Sequence, residues 1–227
     1  MQKHFKIIAA ASYIFAAVFL SVYFAAEMIP RLYLSTAARL LLLCGCCAFL
    51  WLGGFLLTKR TGNNKAMKIN LWLFLGLYLL LFATLTLFDP MWGRNGGFVI
   101  WDKELFEDYV EFMLNPVPFK TITKYLFESD FRGFMVNIIG NLVCLMPLGI
   151  LLPLISQKQR KTGIFILTCS AVVFTVELLQ FATLAGSCDI DDLILNVGGA
   201  FIIYLFTKNK EAFDFLRYIF LLEKGEK

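Results

Sequence analysis

The sequence predicts an all-α membrane protein, a polytopic transmembrane helical bundle of about six spans with an amphipathic helix in the connection between the third and fourth. Three observations lead there. Hydrophobic residues fill 59% of 227 positions and the mean hydropathy is +0.72, more than a soluble domain of this size carries. Six segments, roughly 5–26, 38–57, 69–88, 134–155, 163–184 and 190–206, reach or approach the about 20 apolar residues that cross a hydrocarbon core. Lys and Arg gather in alternate connections, as the positive-inside rule expects of a multi-span chain.

The first span begins with Lys3 and Lys6. Its apolar run is too long for a typical signal-peptide core, and Phe24-Ala25-Ala26 lacks the small residue that a cleavage site needs at −3, so a retained anchor is expected. Lys59, Arg60, Lys65 and Lys68 fill the connection after the second span; Lys158, Arg160 and Lys161 fill that after the fourth; Lys208, Lys210, Arg217, Lys224 and Lys227 follow the sixth. With six spans these fall on one side, which places both termini in the cytoplasm. The opposite side is acidic, with eight carboxylates against five basic residues in 89–133 and three aspartates at 189–192. The formal charge of +4 is therefore a topology signal and points to no nucleic-acid partner.

Four regions follow: a three-span N-terminal part (1–88) almost without buried ionisable groups, an extracytoplasmic loop (89–133), a three-span core (134–206) and a cytoplasmic tail (207–227). In the loop, Asp89-Pro90 to Gly97 reads as turn. Residues 101–114 then place Trp101, Leu105, Tyr109 and Phe112 on one stripe opposite Asp102, Glu104, Glu107, Asp108 and Glu111, the pattern of an interfacial helix whose acidic face argues against anchoring to anionic lipid. Pro147 and Pro153 each remove a backbone donor from the fourth span, so a kink is expected near 143–149.

Cysteines carry little chemistry here. Cys44, Cys46, Cys47, Cys144 and Cys169 lie within spans as small soft hydrophobes, and Cys188 is expected at the outer surface. No spacing resembles a zinc site, and the single histidine, His4, excludes His-based metal or triad chemistry.

Three polar clusters interrupt the last three spans: Asn137 with Asn141, Glu177 with Gln180, and Asp189, Asp191 and Asp192 with Asn196. Polar groups inside a membrane are costly and usually functional. At about 1.5 Å of rise per residue, Asn141, Glu177 and Asn196 each lie on the order of 10 Å below the outer surface, in one layer. Asn137/Asn141 and Asp192/Asn196 are i,i+4 pairs and Glu177/Gln180 is i,i+3, so each pair shares a helix face. The carboxylates of Glu177 and Asp192 are expected within direct or water-bridged reach of the Asn141 and Asn196 amides. Gly198, Gly199 and Ala200 allow the sixth helix to pack closely. Such a pocket has three uses: a hydrogen-bonding cage for a polar head group; an oxygen site for a divalent cation, built from Glu177 and some of Asp189, Asp191 and Asp192; or a carboxylate base, with Glu177 and Asp192 the catalytic candidates. The bland alternative is a hydrogen-bond cluster that only holds helices together.

The motifs are similar to those of the VanZ-like family. They run Asn115-Pro116-Val117-Pro118-Phe119-Lys120-Thr121-Ile122, then Asn137-Ile138-Ile139-Gly140-Asn141 with Met146-Pro147-Leu148-Gly149, then Glu177-Leu178-Leu179-Gln180, then Asp189 to Asn196 with Gly199-Ala200. The resemblance covers about 115–206 and leaves 1–114 unmatched. It implies a bacterial cytoplasmic-membrane protein of envelope physiology, since the founding member is associated with teicoplanin resistance; it implies no known reaction. Many members carry an arginine shortly before the acidic cluster, where this chain has Gly186-Ser187-Cys188, and that departure weighs against direct phosphate clamping. The leading expectation is a non-hydrolytic protein whose outward polar pocket engages a lipid-linked cell-wall intermediate or a lipidated glycopeptide, with membrane lipids around it and no resident cofactor. The alternatives are an intramembrane enzyme acting on a lipid phosphate or sugar carrier, and a small transporter subunit.

Overall fold

A computed structural model describes residues 2–29, 34–87, 103–184 and 187–222. The turn expected over 89–97 and the start of the loop helix at Trp101 and Asp102 lie outside these residues. Three long helices come first: α1 (Gln2–Met28), α2 (Thr36–Thr61) and α3 (Lys65–Leu87). Two short ones follow, α4 (Lys103–Phe112) and α5 (Lys120–Phe127). The fourth span is built in pieces: α6 (Phe131–Phe134), a π-helical turn over Met135–Gly140, α7 (Asn141–Cys144) and α8 (Met146–Ile155). A 3-10 turn (Gln157–Arg160) leads to α9 (Thr162–Thr183), α10 (Ile190–Lys208) and α11 (Lys210–Ile219). Six stretches are long and apolar enough to cross a membrane: His4–Ala26, Thr36–Thr61, Lys65–Leu87, Phe131–Ile155, Thr162–Thr183 and Ile190–Lys208. The fold is the all-α polytopic bundle that the composition predicts.

The chain divides into two compact units, Met1–Tyr78 with Lys210–Lys227, and Leu79–Asn209. In the first, α1 packs along α2, and Ala9, Ala16 and Tyr23 recur every seven residues on the buried face. Gly45 lies against the ring of Phe19 and Gly53 against that of Tyr13, the small-residue contacts that let helices approach in lipid. Asn70, 1% exposed, donates to the Leu50 carbonyl (2.5 Å) and the Tyr13 hydroxyl (3.2 Å), and so ties the three helices together. The segment after the sixth span, read from sequence as a tail, is helical in α11; Phe213 is buried and Phe220 meets the ring of Phe74.

In the second unit, α10 packs on α7, α8 and α9. A Cβ on Gly199 would stand 1.6 Å from the Leu142 carbonyl oxygen, and one on Gly149 2.7 Å from that of Ala200, so only glycine fits either contact. Gly198, grouped with Gly199 on sequence grounds, faces open space instead. At the other end of α10, Tyr204 stacks on Phe165 (4.2 Å between centroids) and its hydroxyl donates to the Arg160 carbonyl (2.6 Å).

The break in the fourth span falls at Leu145, where φ −96° and ψ −1° end α7 and Pro147 sits in the first turn of α8, the position where its missing N–H is harmless. The π-helical turn just before it has no counterpart in the sequence reading. Such turns recur at functional sites because they re-aim the side chains around them.

Candidate functional site

The site is assembled by a contact across more than seventy residues. β1 (Leu114–Asn115) pairs in parallel with β2 (Cys188–Asp189), two residues each, and the Cys188 N–H donates to the Met113 carbonyl (3.0 Å). This brings the Asn115–Ile122 segment against the start of α10 and divides the acidic cluster into two groups.

Asp189 and Asp191 form the first group. Asp191 is fully buried (0% exposed). Its Oδ1 accepts the Phe119 N–H (2.6 Å), and its Oδ2 accepts those of Thr121 (2.8 Å) and Ile122 (3.0 Å). These are the donors that the first turn of α5 leaves without intrahelical partners, so Asp191 caps that helix from a distant part of the chain and its charge complements the helix dipole. Phe119 cannot cap with its own side chain, and it sits at φ 65°. A left-handed phenylalanine costs on the order of 1 kcal/mol or more and persists only where its surroundings hold it. The Asp191 bond to its N–H supplies part of that hold. Asp189 accepts the Asn115 amide (2.9 Å), the Thr121 hydroxyl (2.5 Å) and the Asp191 N–H (2.8 Å), the last as N-cap of α10. The Asn115 amide also donates to the Thr121 hydroxyl (2.9 Å).

Glu177 joins this group. Its Oε2 accepts the Asp189 N–H (3.0 Å) from a buried position on α9, next to Cys188. The sequence places Glu177 toward Asn141 and Asn196; in the structure its Oε2 meets the β2 backbone.

Asp192, Asn141 and Asn196 form the second group. The Asn141 amide donates to Asp192 Oδ1 (2.5 Å) and to the Asn137 carbonyl (3.0 Å). The Asn196 amide donates to Asn141 Oδ1 (3.3 Å) and the Asp192 carbonyl (2.8 Å). Asn137 donates to the Gly133 carbonyl (3.0 Å) and stays local to the wide turn. Gln180 is buried and donates to the Thr86 carbonyl (2.9 Å). Among the residues of these clusters, the buried amide oxygens Asn196 Oδ1 and Gln180 Oε1 accept nothing. A buried polar atom without a partner costs about 1–3 kcal/mol and calls for an explanation.

The chemistry of the layer follows from its atoms. Carboxylate and amide oxygens dominate, so the layer suits the part of a ligand that brings N–H or O–H donors and offers no cation to a phosphate. Glu177, Asp189 and Asp192 are the residues raised for a divalent cation; among the described residues no group of three His, Cys, Asp or Glu stands close enough to hold one, and both oxygens of Asp189 accept protein donors. Asn115 and Thr121 belong to the site but stand outside the sequence-selected set, because nothing local to them reveals a partner seventy residues on.

Cys188 offers a readout of this electrostatic setting. Burial, then the charge of Glu177 and a hydrogen bond to it, then Asp189 and Asp192, push its thiol from 9.0 up to about 11. Only the thiolate reacts with a maleimide, so a variant keeping Cys188 alone will label at pH 8 about 100-fold more slowly than an unperturbed thiol. Glu177→Gln removes the neighbouring carboxylate and will speed the reaction; an unchanged rate would mean that Glu177 does not act on the Cys188 thiol.

No curated protein and no solved structure matches this chain. A family model described as VanZ/LLP1 matches residues 72–213, more than half of the chain and well upstream of the motif resemblance beginning at 115. The chain belongs to the VanZ/LLP1 family.

Proposed function

We propose that this VanZ-like membrane protein acts in the bacterial cytoplasmic membrane, with both termini cytoplasmic, and that its Asn141–Asp192–Asn196 layer engages the donor-rich head group of a lipid-linked cell-wall intermediate or a lipidated glycopeptide. The observation that carries this reading is the acceptor-rich layer, half-buried at Asn141 and Asp192 and buried at Asn196, whose Oδ1 is unpartnered. Sugar hydroxyls or amino groups would satisfy it, while a polyprenyl or acyl chain would lie along the apolar helices. Such engagement would lower susceptibility to teicoplanin.

An intramembrane enzyme finds less support. Glu177, one of its two candidate bases, accepts a backbone N–H from Asp189, and Asp189 and Asp191 are occupied in holding the Asn115–Ile122 segment. Expression of the chain in a susceptible bacterial host should raise the inhibitory concentration of teicoplanin but not that of an unrelated membrane-active agent. An unchanged value at verified membrane abundance would refute the proposal.

A further inference from the structure

The first unit has a polar feature of its own. The last turn of α2 and the end of α11 border a shallow, open cavity of about 380 Å³ lined by Thr58, Lys59, Gly62, Tyr218, Leu221 and Leu222. Both helix ends are capped. Gly62, at φ 68°, donates to the Thr58 carbonyl (2.9 Å), and the Thr61 hydroxyl donates to that of Leu57 (2.9 Å). In α11, Leu221 at φ 47° donates to the Tyr218 carbonyl (3.0 Å) and Leu222 to that of Arg217 (2.8 Å). The backbone thus has its partners, whereas the Thr58 hydroxyl, on a residue 8% exposed, has none.

Charge and position narrow the occupant. Lys59 and Arg60 end a membrane-length helix, and Lys65 and Lys68 begin the next one three residues later, so four cations share one end of the unit. α11 adds Lys210 and Arg217 against Glu211 and Asp214. It also leaves Phe215 (62% exposed) and Tyr218 (76%) uncovered on successive turns, the aromatic exposure of a helix seated at a membrane–water boundary.

We infer that this cavity binds the phosphate of an anionic phospholipid, with Lys59 as counter-charge, the Thr58 and Tyr218 hydroxyls as donors, and Leu221 and Leu222 against the glycerol and upper acyl chain. The site is independent of the acidic cluster and stands whether or not the proposed function does.

The test is a thermal-unfolding titration of the full chain in detergent with phosphatidylglycerol, phosphatidylcholine or inorganic phosphate. Phosphatidylglycerol alone is expected to raise the midpoint saturably, since it binds the folded state. Lys59→Gln should need about fivefold more of it for the same shift, the value of one basic residue at an anionic surface. Tyr218→Phe, at an exposed position that leaves folding untouched, should weaken the titration in the same direction, and Lys103→Gln, which is not among the lining residues, should not. Equal shifts with phosphatidylcholine, or an unaltered titration in both Lys59→Gln and Tyr218→Phe, would overturn the site. Equal protection by inorganic phosphate would overturn its assignment to a lipid.

Discussion

Asp191→Ala will destabilise the protein by about 3–5 kcal/mol, estimated from the backbone donors it strands. The carboxylate is fully buried and is the acceptor for the N–H groups of Phe119, Thr121 and Ile122. Phe119 is exposed and its donor can turn to water, so most of the cost falls on Thr121 and Ile122, which are half-buried. The left-handed turn at Phe119 then loses part of its restraint, and α5 loses its cap. A melting temperature lower by on the order of 10 °C in detergent is expected. Asp191→Asn keeps one acceptor oxygen but points an NH₂ at backbone donors, and should fall between wild type and Asp191→Ala. A change of less than about 1 kcal/mol for Asp191→Ala would show that the segment is held by other contacts.

Gly199→Ala should do comparable damage for a different reason. The added methyl would stand 1.6 Å from the Leu142 carbonyl oxygen, which belongs to the α7 backbone and cannot rotate away. Overpacking typically costs about 1–3 kcal/mol, and this contact lies at or beyond the upper end because the helices themselves must separate. The gain of about 1 kcal/mol in helix propensity offsets only part. Separation also draws Asn196 on α10 away from Asn141 on α7, so function should fail along with stability. Gly198→Ala is the internal control: nothing lies within 4 Å of its new methyl, and it should be neutral or slightly stabilising. Equal behaviour of the two alanines would mean that α10 does not pack on α7 through Gly199.

What the sequence makes legible follows from how far each interaction reaches along the chain. The six spans are visible because lipid rewards a continuous apolar run, a property of neighbouring residues. The i,i+4 pairs Asn137/Asn141 and Asp192/Asn196 are visible for the same reason, since helical periodicity alone puts each on one face. The roles within the acidic cluster are not visible. Asp189 and Asp191 look like Asp192 in sequence, and only the pairing of Leu114–Asn115 with Cys188–Asp189 assigns them to hold the Asn115–Ile122 segment. The left-handed Phe119 carries no glycine or asparagine to announce it, and the π-helical turn at Met135–Gly140 carries no proline, so both were beyond local reading. Pro147 did mark a break, which falls at Leu145 because the proline needs the first turn of a new helix.

In the proposed function Asp192, with Asn141 and Asn196, meets the ligand, whereas Asp189 and Asp191 hold the Asn115–Ile122 segment. Asp192→Asn separates the two, because an amide of the same shape can keep the Asn141 oxygen–amide contact within about 1–2 kcal/mol while losing the charge. The measurement is the teicoplanin inhibitory concentration of cells carrying Asp192→Asn at a membrane abundance matched to wild type, beside Glu107→Gln in α4 as a silent control. Asp192→Asn is expected to abolish the protection that wild type and Glu107→Gln both confer. Full protection by Asp192→Asn at matched abundance would contradict it and reassign the polar layer to helix packing.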